Sequence, residues 1–167
     1  MTYSLESTLL HLARTRLLQD YPGQIDACLD VLDDEDVWWR PNEQANAVGN
    51  LVLHLSGSNR YYLEQMIAGR EIGRDRDGEF AARGGYSKAQ LKALWDETRS
   101  VAEGVLNGLE PSQMLHTTER TGKLTTYAQI LLHVTHHNAA HMGQIVWITK
   151  MRHAGGLDEL WMKMRPR

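Results

Sequence analysis

Three histidines of this sequence, His133, His137 and His141, stand four residues apart. On an α-helix this spacing places their side chains on one face, each one turn above the last. Apolar residues such as Val134 and Ile145 share or flank that face, where burying an imidazole is costly unless something accepts its nitrogen lone pair. Neutral imidazole is the commonest protein ligand of divalent metals. The spacing therefore points to a metal site.

A site of this kind needs a further ligand from another part of the chain. His137 and His141 form an H-x-x-x-H pair, which lets two imidazoles converge on one ion. Asn138 follows His137 where zinc proteases carry their glutamate base, which argues against peptidase chemistry. The best candidate for the third ligand is His54, in the middle of another predicted helix. Three histidines leave positions on the ion open for water or substrate, as in catalytic metal sites.

The other histidines have weaker claims, and two histidines four residues apart also arise by chance. His133 is ambiguous: it is a ligand, a partner that holds a ligand in place, or a substrate contact. His136 is rotated off the ligand face. We interpret the others as surface or packing residues: His11, His116 and His153.

Composition limits the classes of protein to consider. At 167 residues the chain is expected to form a single domain, residues 1–167. Its net charge of −3 gives no support for nucleic-acid binding, since phosphate-binding surfaces are normally basic. The single cysteine, Cys28, excludes an intrachain disulfide and a cysteine-rich zinc site. With no signal-peptide pattern and no run of ~18 apolar residues, we expect a cytoplasmic protein without membrane segments.

Apolar residues at helical spacing predict four long helices. The first covers residues 4–20. A kink or a break is expected at Pro22, after which the helical pattern resumes as far as Leu32. The others are expected at residues 46–69 with Asn46 as N-cap, 87–107 with Ser87 as cap, and 126–152 with Thr125 or Thr126 as cap. Four such helices favour an all-α four-helix bundle, in which facing helices can hold a metal between them.

The connections have patterns of their own. Residues 33–40 are typical of a short helix that Pro41 ends. Residues 69–86 are polar and glycine-rich and are interpreted as a long loop, which is often functional. Residues 109–125 have room for a short β-hairpin or an extended strand. The tail at 157–164 is expected to form one or two helical turns, whose apolar residues serve a contact between copies or pack on the bundle: Leu160, Trp161, Met162 and Met164.

Several motifs together resemble one protein superfamily. Residues 131–145 read L-L-H-x-x-x-H-x-x-x-H-x-G-Q-I, and residues 46–60, preceded by R-P-N at 40–42, read N-x-V-G-N-L-V-L-H-L-x-G-x-x-R. These segments resemble the DinB-like (YfiT-like) superfamily, and residues 74–80 resemble an uncharacterised subgroup of it. The resemblance runs from about Leu5 to Arg152.

The resemblance implies an up-up-down-down bundle with long second and third connections. It also implies a divalent metal held by a histidine of the second helix and the last two of the fourth, which correspond to His54, His137 and His141. Zn, Ni, Fe and Mn all suit such a site. Family members are often homodimers, and characterised relatives include bacillithiol- or mycothiol-dependent transferases, a mycothiol-dependent isomerase and possible hydrolases. A small-molecule substrate, such as a low-molecular-weight thiol, is therefore expected.

Three functions stay open from the sequence. A metal that lowers the pKa of a bound thiol or water suits a thiol S-transferase or a hydrolase, and the third option is a non-catalytic metal-binding dimer module. No general base or other catalytic residue is identified. The candidates for holding a ligand in place or contacting substrate are His133, Arg60 and Tyr61.

Charged and aromatic residues near these motifs allow two interpretations. Four arginines, Arg40, Arg60, Arg74 and Arg76, can bind ligand carboxylates. The interpretation we favour is that they form salt bridges with the acids nearby: Asp75, Asp77 and Glu79. Three aromatic residues also allow two interpretations: Trp38, Trp39 and Tyr61. They line a pocket, or they belong to the core, as aromatic residues at helix ends more often do.

Overall fold

The computed structural model describes residues 4–120 and 122–160, which form a helical bundle with one small hairpin. Helix α1 is a continuous run of Leu5–Thr15, a π-helical turn Arg16–Asp20, and Tyr21–Val31. Helix α2 is Val48–Asn59 with a π-helical continuation, Arg60–Ile67. The remaining elements are α3 (Arg76–Ala81), α4 (Lys88–Asn107), β1 (Thr117–Arg120), β2 (Lys123–Thr126), α5 (Tyr127–Arg152) and the 3-10 turns Asp36–Trp38 and Pro111–Gln113.

Side-chain caps determine where most of the long helices begin. Ser4, Ser87 and Thr126 each accept a hydrogen bond from the backbone N–H three residues later, which satisfies a donor that has no partner inside the helix. The predicted starts of these three helices are therefore confirmed. The prediction of Asn46 as N-cap of α2 is wrong, because the cap is Ala47, whose N–H donates to Asn50 Oδ1 at 3.1 Å.

Pro22 modifies α1 without breaking it. Proline has no N–H to donate to the carbonyl four residues earlier, that of Leu18. The π-helical turn Arg16–Asp20 contains that carbonyl, and the helix then continues to Val31. The predicted interruption is therefore a local change of helix type rather than a break.

The connections confirm some predictions and correct others. The β-hairpin expected within residues 109–125 is present, with Thr117 opposite Thr126. The long loop predicted at 69–86 is wrong in part, because α3 lies within it, and the short helix predicted at 33–40 is a single 3-10 turn. In the tail, Leu160 packs against the core, whereas Trp161, Met162 and Met164 lie outside the described residues.

Contacts between helix ends establish the directions of the helices. The Lys88 ammonium at the start of α4 donates to the Leu32 carbonyl just beyond α1 at 2.7 Å, so these two helices are antiparallel. The Tyr127 hydroxyl at the start of α5 donates to the carbonyl of Ile67, the last residue of α2, at 3.2 Å. Helices α2 and α5 are therefore antiparallel as well.

The all-α four-helix bundle is confirmed, but the contacts correct the order of its directions. Arg152 at the end of α5 donates to Asp36, five residues beyond the end of α1, at 2.6 Å, so α1 and α5 are parallel. The order is up-down-down-up rather than up-up-down-down. The connection between α2 and α4, residues 68–87, crosses from one end to the other, and it carries α3 back along α2.

The core consists of two clusters of buried apolar side chains. One contains Leu51, Leu55 and Trp95, with Ile145 from the second half of α5. The other contains residues such as Leu63 and Leu106, with Leu131 and Val134 from the first half of α5. Residues 137–141 of α5 lie between the part of the helix that packs in one cluster and the part that packs in the other. The histidines of this stretch therefore occupy a gap in the apolar packing.

Gly49 generates a prediction about this packing. A Cβ atom there would lie 2.8 Å from the Trp38 ring, so Gly49→Ala forces the indole to move and should cost about 1–3 kcal/mol of unfolding free energy, as overpacking does. The control is Gly104→Ala in α4, where a Cβ meets nothing within 4 Å and helix propensity should add up to about 1 kcal/mol. Urea denaturation measures both. A Gly49→Ala protein as stable as the Gly104→Ala protein would contradict this packing.

Candidate metal centre

The structure brings together the three histidines predicted as ligands. His54 comes from α2, and His137 and His141 come from α5, with one ring nitrogen of each within 4.8 Å of the others. The Nε2 atoms of His54 and His137 are 2.9 Å apart. The His141 ring centroid lies 4.9 Å from that of His54 and 4.6 Å from that of His137. Three imidazoles thus converge from two antiparallel helices.

His54 is oriented by a buried carboxylate. Its Nδ1 lies 2.9 Å from Glu79 Oε2, and both side chains are buried. A carboxylate only accepts hydrogen bonds, so this network assigns the proton of neutral His54 to Nδ1. The Nε2 atom therefore carries the lone pair and directs it toward His137. Metal-bound histidines usually have such a carboxylate behind them, which fixes the tautomer and makes the ligand more basic.

Glu79 is itself held in place from two sides. The Arg74 guanidinium donates to Glu79 through Nε at 2.7 Å and Nη2 at 2.9 Å. On the other side lies Gly57 of α2, where a Cβ atom would collide with the Glu79 carboxylate. Burial raises the pKa of Glu79, but the hydrogen bonds from Arg74 and His54 outweigh it and hold that pKa below its ordinary value. Glu79 therefore stays ionised at neutral pH.

The backbone of α3 is anchored to α2 by Asn50. Its side-chain amide donates to the carbonyl of Glu79 at 3.0 Å and to that of Ala82 at 2.9 Å. The next residue, Phe80, packs its ring against that of His54 at 4.4 Å between centroids. Sequence reasoning missed this role of Glu79. The one available signal was Asp75, whose side chain caps α3 by accepting the N–H of Gly78.

His137 and His141 are both kept neutral by their surroundings. Burial, followed by the neighbouring His141 and His54, lowers the pKa of His137 to about 3. Burial also lowers the pKa of His141, despite the opposing effect of its hydrogen bond with Gln144. That bond joins His141 Nδ1 to Gln144 Oε1 at 3.0 Å, which assigns the proton to Nδ1 and leaves Nε2 with a lone pair.

The nitrogens of His137 show that these residues fit a metal ion. Its Nδ1 is buried and has no hydrogen-bond partner within the described part of the chain. If its proton is on Nε2, that group donates to His54 but the Nδ1 lone pair is buried alone. If its proton is on Nδ1, the Nε2 lone pairs of His137 and His54 face each other. A cation between the two rings would accept both lone pairs, and neutral imidazoles suit Zn, Ni or Fe.

A pair of buried asparagines fixes the register of the two ligand-bearing helices. Asn59 of α2 and Asn138 of α5 exchange side-chain hydrogen bonds of 3.1 and 2.7 Å. Asn138 also donates to the Val134 carbonyl one turn earlier, at 2.9 Å. Asn138, which replaces the protease glutamate in the sequence, therefore aligns His137 with His54 across the bundle.

His133 and Tyr61 lie beside the cluster. The exposed His133 stacks on the His137 ring with centroids 5.7 Å apart and also contacts the ring of Tyr62 at 4.6 Å. Tyr61 places its ring 5.9 Å from the guanidinium carbon of Arg74. His133 is thus outside the three-histidine group, in a place where it can contact a molecule bound there.

The predicted arginines are mostly engaged with other groups. Arg74 pairs with Glu79, as the salt-bridge interpretation predicted, whereas Arg60 forms its ion pair with Glu64 at 2.9 Å, an acid outside the predicted set. Arg76 lies over the Phe80 ring at 5.2 Å. Arg40 has a buried Nη1 without a hydrogen-bond partner in the described chain.

The remaining aromatic and histidine predictions can be placed too. Trp38 and Trp39 pack against the core, and the Trp38 Nε1 donates to the Tyr86 carbonyl at 2.7 Å. His153 pairs with Asp36 at 2.6 Å. The other two histidines, neither of which belongs to the cluster, are His116, which contacts the Tyr127 ring, and His11, which is exposed.

Two cavities beside α2 do not coincide with this cluster. A cavity of about 660 Å³ lies between the end of α2 and α4, and one of about 330 Å³ is lined by Arg60, Arg74 and Glu79. None of the three converging histidines lines either cavity. The candidate site is therefore identified by the chemistry of its side chains rather than by cavity size.

Comparison with known proteins gives the family and the fold. A family model described as "Protein of unknown function (DUF1572)" matches residues 5–163, and the chain belongs to that family. A DinB-like protein from Bacillus subtilis superposes with a TM-score of 0.65 at 15% identity, over 89% of this chain and 94% of that one. A DinB-like protein from Bacillus cereus ATCC 10987 gives 0.64 at 14% identity, over 79% and 85%. No curated protein matches the chain. The resemblance to the DinB-like fold is confirmed.

The lowered pKa values predict how acid affects the metal-free protein. Unfolded histidine has a pKa of about 6.5, whereas folded His137 has a pKa of about 3. Between these values the unfolded chain binds more protons, so the free energy of unfolding should fall as the pH falls from about 6.5. Urea denaturation of chelator-treated protein at pH 7.5, 6 and 5 measures this. His137→Gln should show a shallower dependence, and equal slopes for the two proteins would contradict the assignment.

Proposed function

For this member of the DUF1572 family, we propose that the chain binds one divalent metal ion through His54, His137 and His141 and acts as a metal-dependent enzyme. We propose that it transfers a low-molecular-weight thiol to an electrophilic small molecule. The observation that carries the proposal is the convergence of three imidazoles, one of them oriented by a buried carboxylate. Zn, Ni, Fe and Mn are the candidate metals.

The side chains around the cluster prepare it for this role at neutral pH. A divalent metal in an open three-histidine site lowers the pKa of a thiol or water bound to it. Burial keeps His137 and His141 unprotonated, so protons do not compete for their lone pairs. Glu79 holds the His54 tautomer and places a negative charge behind it, while Arg74 keeps that carboxylate ionised.

The engagement of Glu79 favours thiol transfer over hydrolysis. Metal-assisted hydrolysis generally uses a side chain that takes a proton from water. Among the described residues, Glu79 is the carboxylate in contact with His54, and both of its oxygens are occupied by His54 and Arg74. A thiol needs no such base, because a lowered pKa is enough to generate the thiolate, which is a strong nucleophile.

Contacts beside the cluster suggest where a substrate lies. His133 is exposed and stacks on His137, and Tyr61 and Arg74 face each other nearby. His133 and Tyr61 present an imidazole and a phenol ring next to the histidines, while the Arg74 guanidinium stays paired with Glu79. An imidazole and a phenol suit a small polar molecule.

The function is tested by metal analysis combined with a thiol-transfer assay. Purified protein reconstituted with Zn²⁺, Ni²⁺ or Mn²⁺ should hold close to one ion per chain, as a three-histidine site does. It should then conjugate a member of a panel of low-molecular-weight thiols to a chromogenic electrophile. His54→Ala should lose both metal and activity, whereas His11→Ala, which changes an exposed histidine near the start of α1, should retain both.

Each outcome of this assay has a distinct meaning. Metal content far below one ion per chain after reconstitution would contradict the site. Bound metal with hydrolysis of test esters but no thiol transfer would replace the transferase by a hydrolase. Bound metal without either reaction would leave a non-catalytic metal-binding module.

The carboxylate behind His54 gives a separate prediction. Glu79→Ala removes the hydrogen bond that fixes the His54 tautomer and should weaken metal binding by about 10- to 100-fold, the usual effect of losing such a partner. Glu79→Gln, which keeps an acceptor oxygen but not the charge, should lose less. Competition with a fluorescent chelator measures both affinities. The control is Asp77→Asn, an exposed acid on the same helix. Unchanged affinity in Glu79→Ala would show that His54 needs no orienting partner.

A further inference from the structure

Arg40 is a partly buried arginine whose guanidinium lacks an acceptor in the described part of the chain. Its Nη1 atom is buried there without a hydrogen-bond partner. Other partly buried arginines of the bundle have acceptors: Arg14 donates to the Leu106 carbonyl at 2.8 Å, and Arg74 to Glu79 at 2.7 Å. Burying a charge is costly unless the charge is paired. The Arg40 guanidinium therefore needs an acceptor that the described residues do not supply.

The charged residues near Arg40 do not offset its own charge. Burial, followed by the positive charge of Arg83, lowers the pKa of Arg40, and the attraction of Glu43 is the smaller effect. Glu43 is exposed, and an exposed charge pair contributes little because water screens it. Two guanidinium groups near each other repel unless an anion lies between them. A bound anion would supply the missing acceptor and remove the repulsion as well.

Arg83 is held in place at the end of α3. Its Nη1 donates to the carbonyls of Phe80 at 2.9 Å and Ala82 at 3.0 Å, which satisfies acceptors at the end of that helix. The Ala82 carbonyl also accepts a hydrogen bond from the Asn50 side chain of α2 at 2.9 Å. Arg83 is thus fixed to α3, and α3 to α2, so the positive charge near Arg40 is a built feature of the fold.

These arginines lie close to the candidate metal centre. Asn50, which binds the end of α3, precedes His54 by four residues, or about 6 Å along the helix. Phe80, whose carbonyl accepts from Arg83, packs its ring against that of His54 with the centroids 4.4 Å apart. An anion bound by the arginines would therefore lie near the start of α2, about one helical turn from a metal ligand.

We propose that Arg40 and Arg83 together bind a small oxyanion, a carboxylate or a phosphate group. A guanidinium presents N–H donors in a planar fork that matches two oxygens of such a group. Among the described residues, the hydrogen bonds of Arg83 all come from Nη1, so its other nitrogens remain for a ligand. No helix in the described ranges has the length and apolar character to cross a membrane, and the ligand we propose is a small molecule in solution.

The site gives a more specific form to the proposed function. In that reaction Arg40 and Arg83 hold the acidic group of the small molecule while its reacting end lies at the metal. This assignment rests on the proposed function, whereas anion binding itself needs neither metal nor turnover. The tests are therefore made on chelator-treated protein, where a failure of thiol transfer does not affect the result.

Thermal melting in the presence of anions gives the first test. A ligand that binds the folded chain raises its Tm, so malonate or phosphate should raise the Tm of the wild type above its value in chloride of equal ionic strength. Arg40→Met, which removes the charge and keeps an unbranched stem, should lose at least half of that rise. The control is Arg16→Met, an exposed arginine paired with Asp20 at 2.6 Å, which should keep it. Equal rises in the wild type and Arg40→Met would overturn the proposal.

Melting in chloride alone separates a binding role from a structural one. Because Arg40 has a buried nitrogen without a partner in the described chain, removing its charge relieves a cost. Arg40→Met should therefore melt no lower than the wild type. An arginine that stabilises the fold would give the opposite result, and a Tm lowered by several degrees in Arg40→Met would overturn the proposal.

NMR of ¹⁵N-labelled protein tests the contact directly. The Arg40 Nε–H signal, identified by its absence from Arg40→Met, should shift saturably during titration with malonate or phosphate. The signal of Arg14, which is bonded to the Leu106 carbonyl, should stay in place. The anion that saturates at the lower concentration decides between a carboxylate and a phosphate. No saturable shift of Arg40 with either anion would overturn the proposal.

Discussion

The hydrogen bond between His54 Nδ1 and Glu79 is the interaction on which the candidate site depends. It assigns the His54 proton to the far side of the ring and turns the Nε2 lone pair toward His137. The bond exists only because the connection between α2 and α4 returns along α2 and presents Glu79 from α3. That return is secured by Asn50, which binds the α3 backbone, and by Gly57, which leaves room for the carboxylate.

Burying this cluster of polar side chains is costly, and hydrogen bonds between neighbouring side chains offset most of that cost. Glu79 receives donors from both His54 and Arg74, and Asn59 and Asn138 satisfy each other between the helices. The exception is His137, whose buried Nδ1 lacks a partner in the described chain and whose pKa is lowered to about 3. The bundle thus has a break in its apolar packing, filled by neutral imidazoles, one of which has a ring nitrogen without a hydrogen-bond partner. Such an arrangement suits the binding of a cation better than it suits stability alone.

The sequence was sufficient where the determining interactions are local. The spacing of His137 and His141 follows from helix geometry, and the caps Ser87 and Thr126 act within three residues. Glu79 could not be found in this way, because its partner is 25 residues away and its helix has only six residues. The helix directions implied by the resemblance are wrong, and local patterns do not correct them. They depend on which connection crosses the bundle, and that is decided by long-range contacts such as the one between Lys88 and Leu32.

X-ray absorption spectroscopy of the zinc- or nickel-loaded protein tests the central claim most directly. If His54, His137 and His141 hold the ion, the spectrum should show three imidazole nitrogens at about 2.0–2.1 Å plus one or more oxygen ligands from water or buffer. In His54→Ala one imidazole should be lost while two remain. A wild-type spectrum dominated by oxygen ligands, or one that His54→Ala leaves unchanged, would contradict the account.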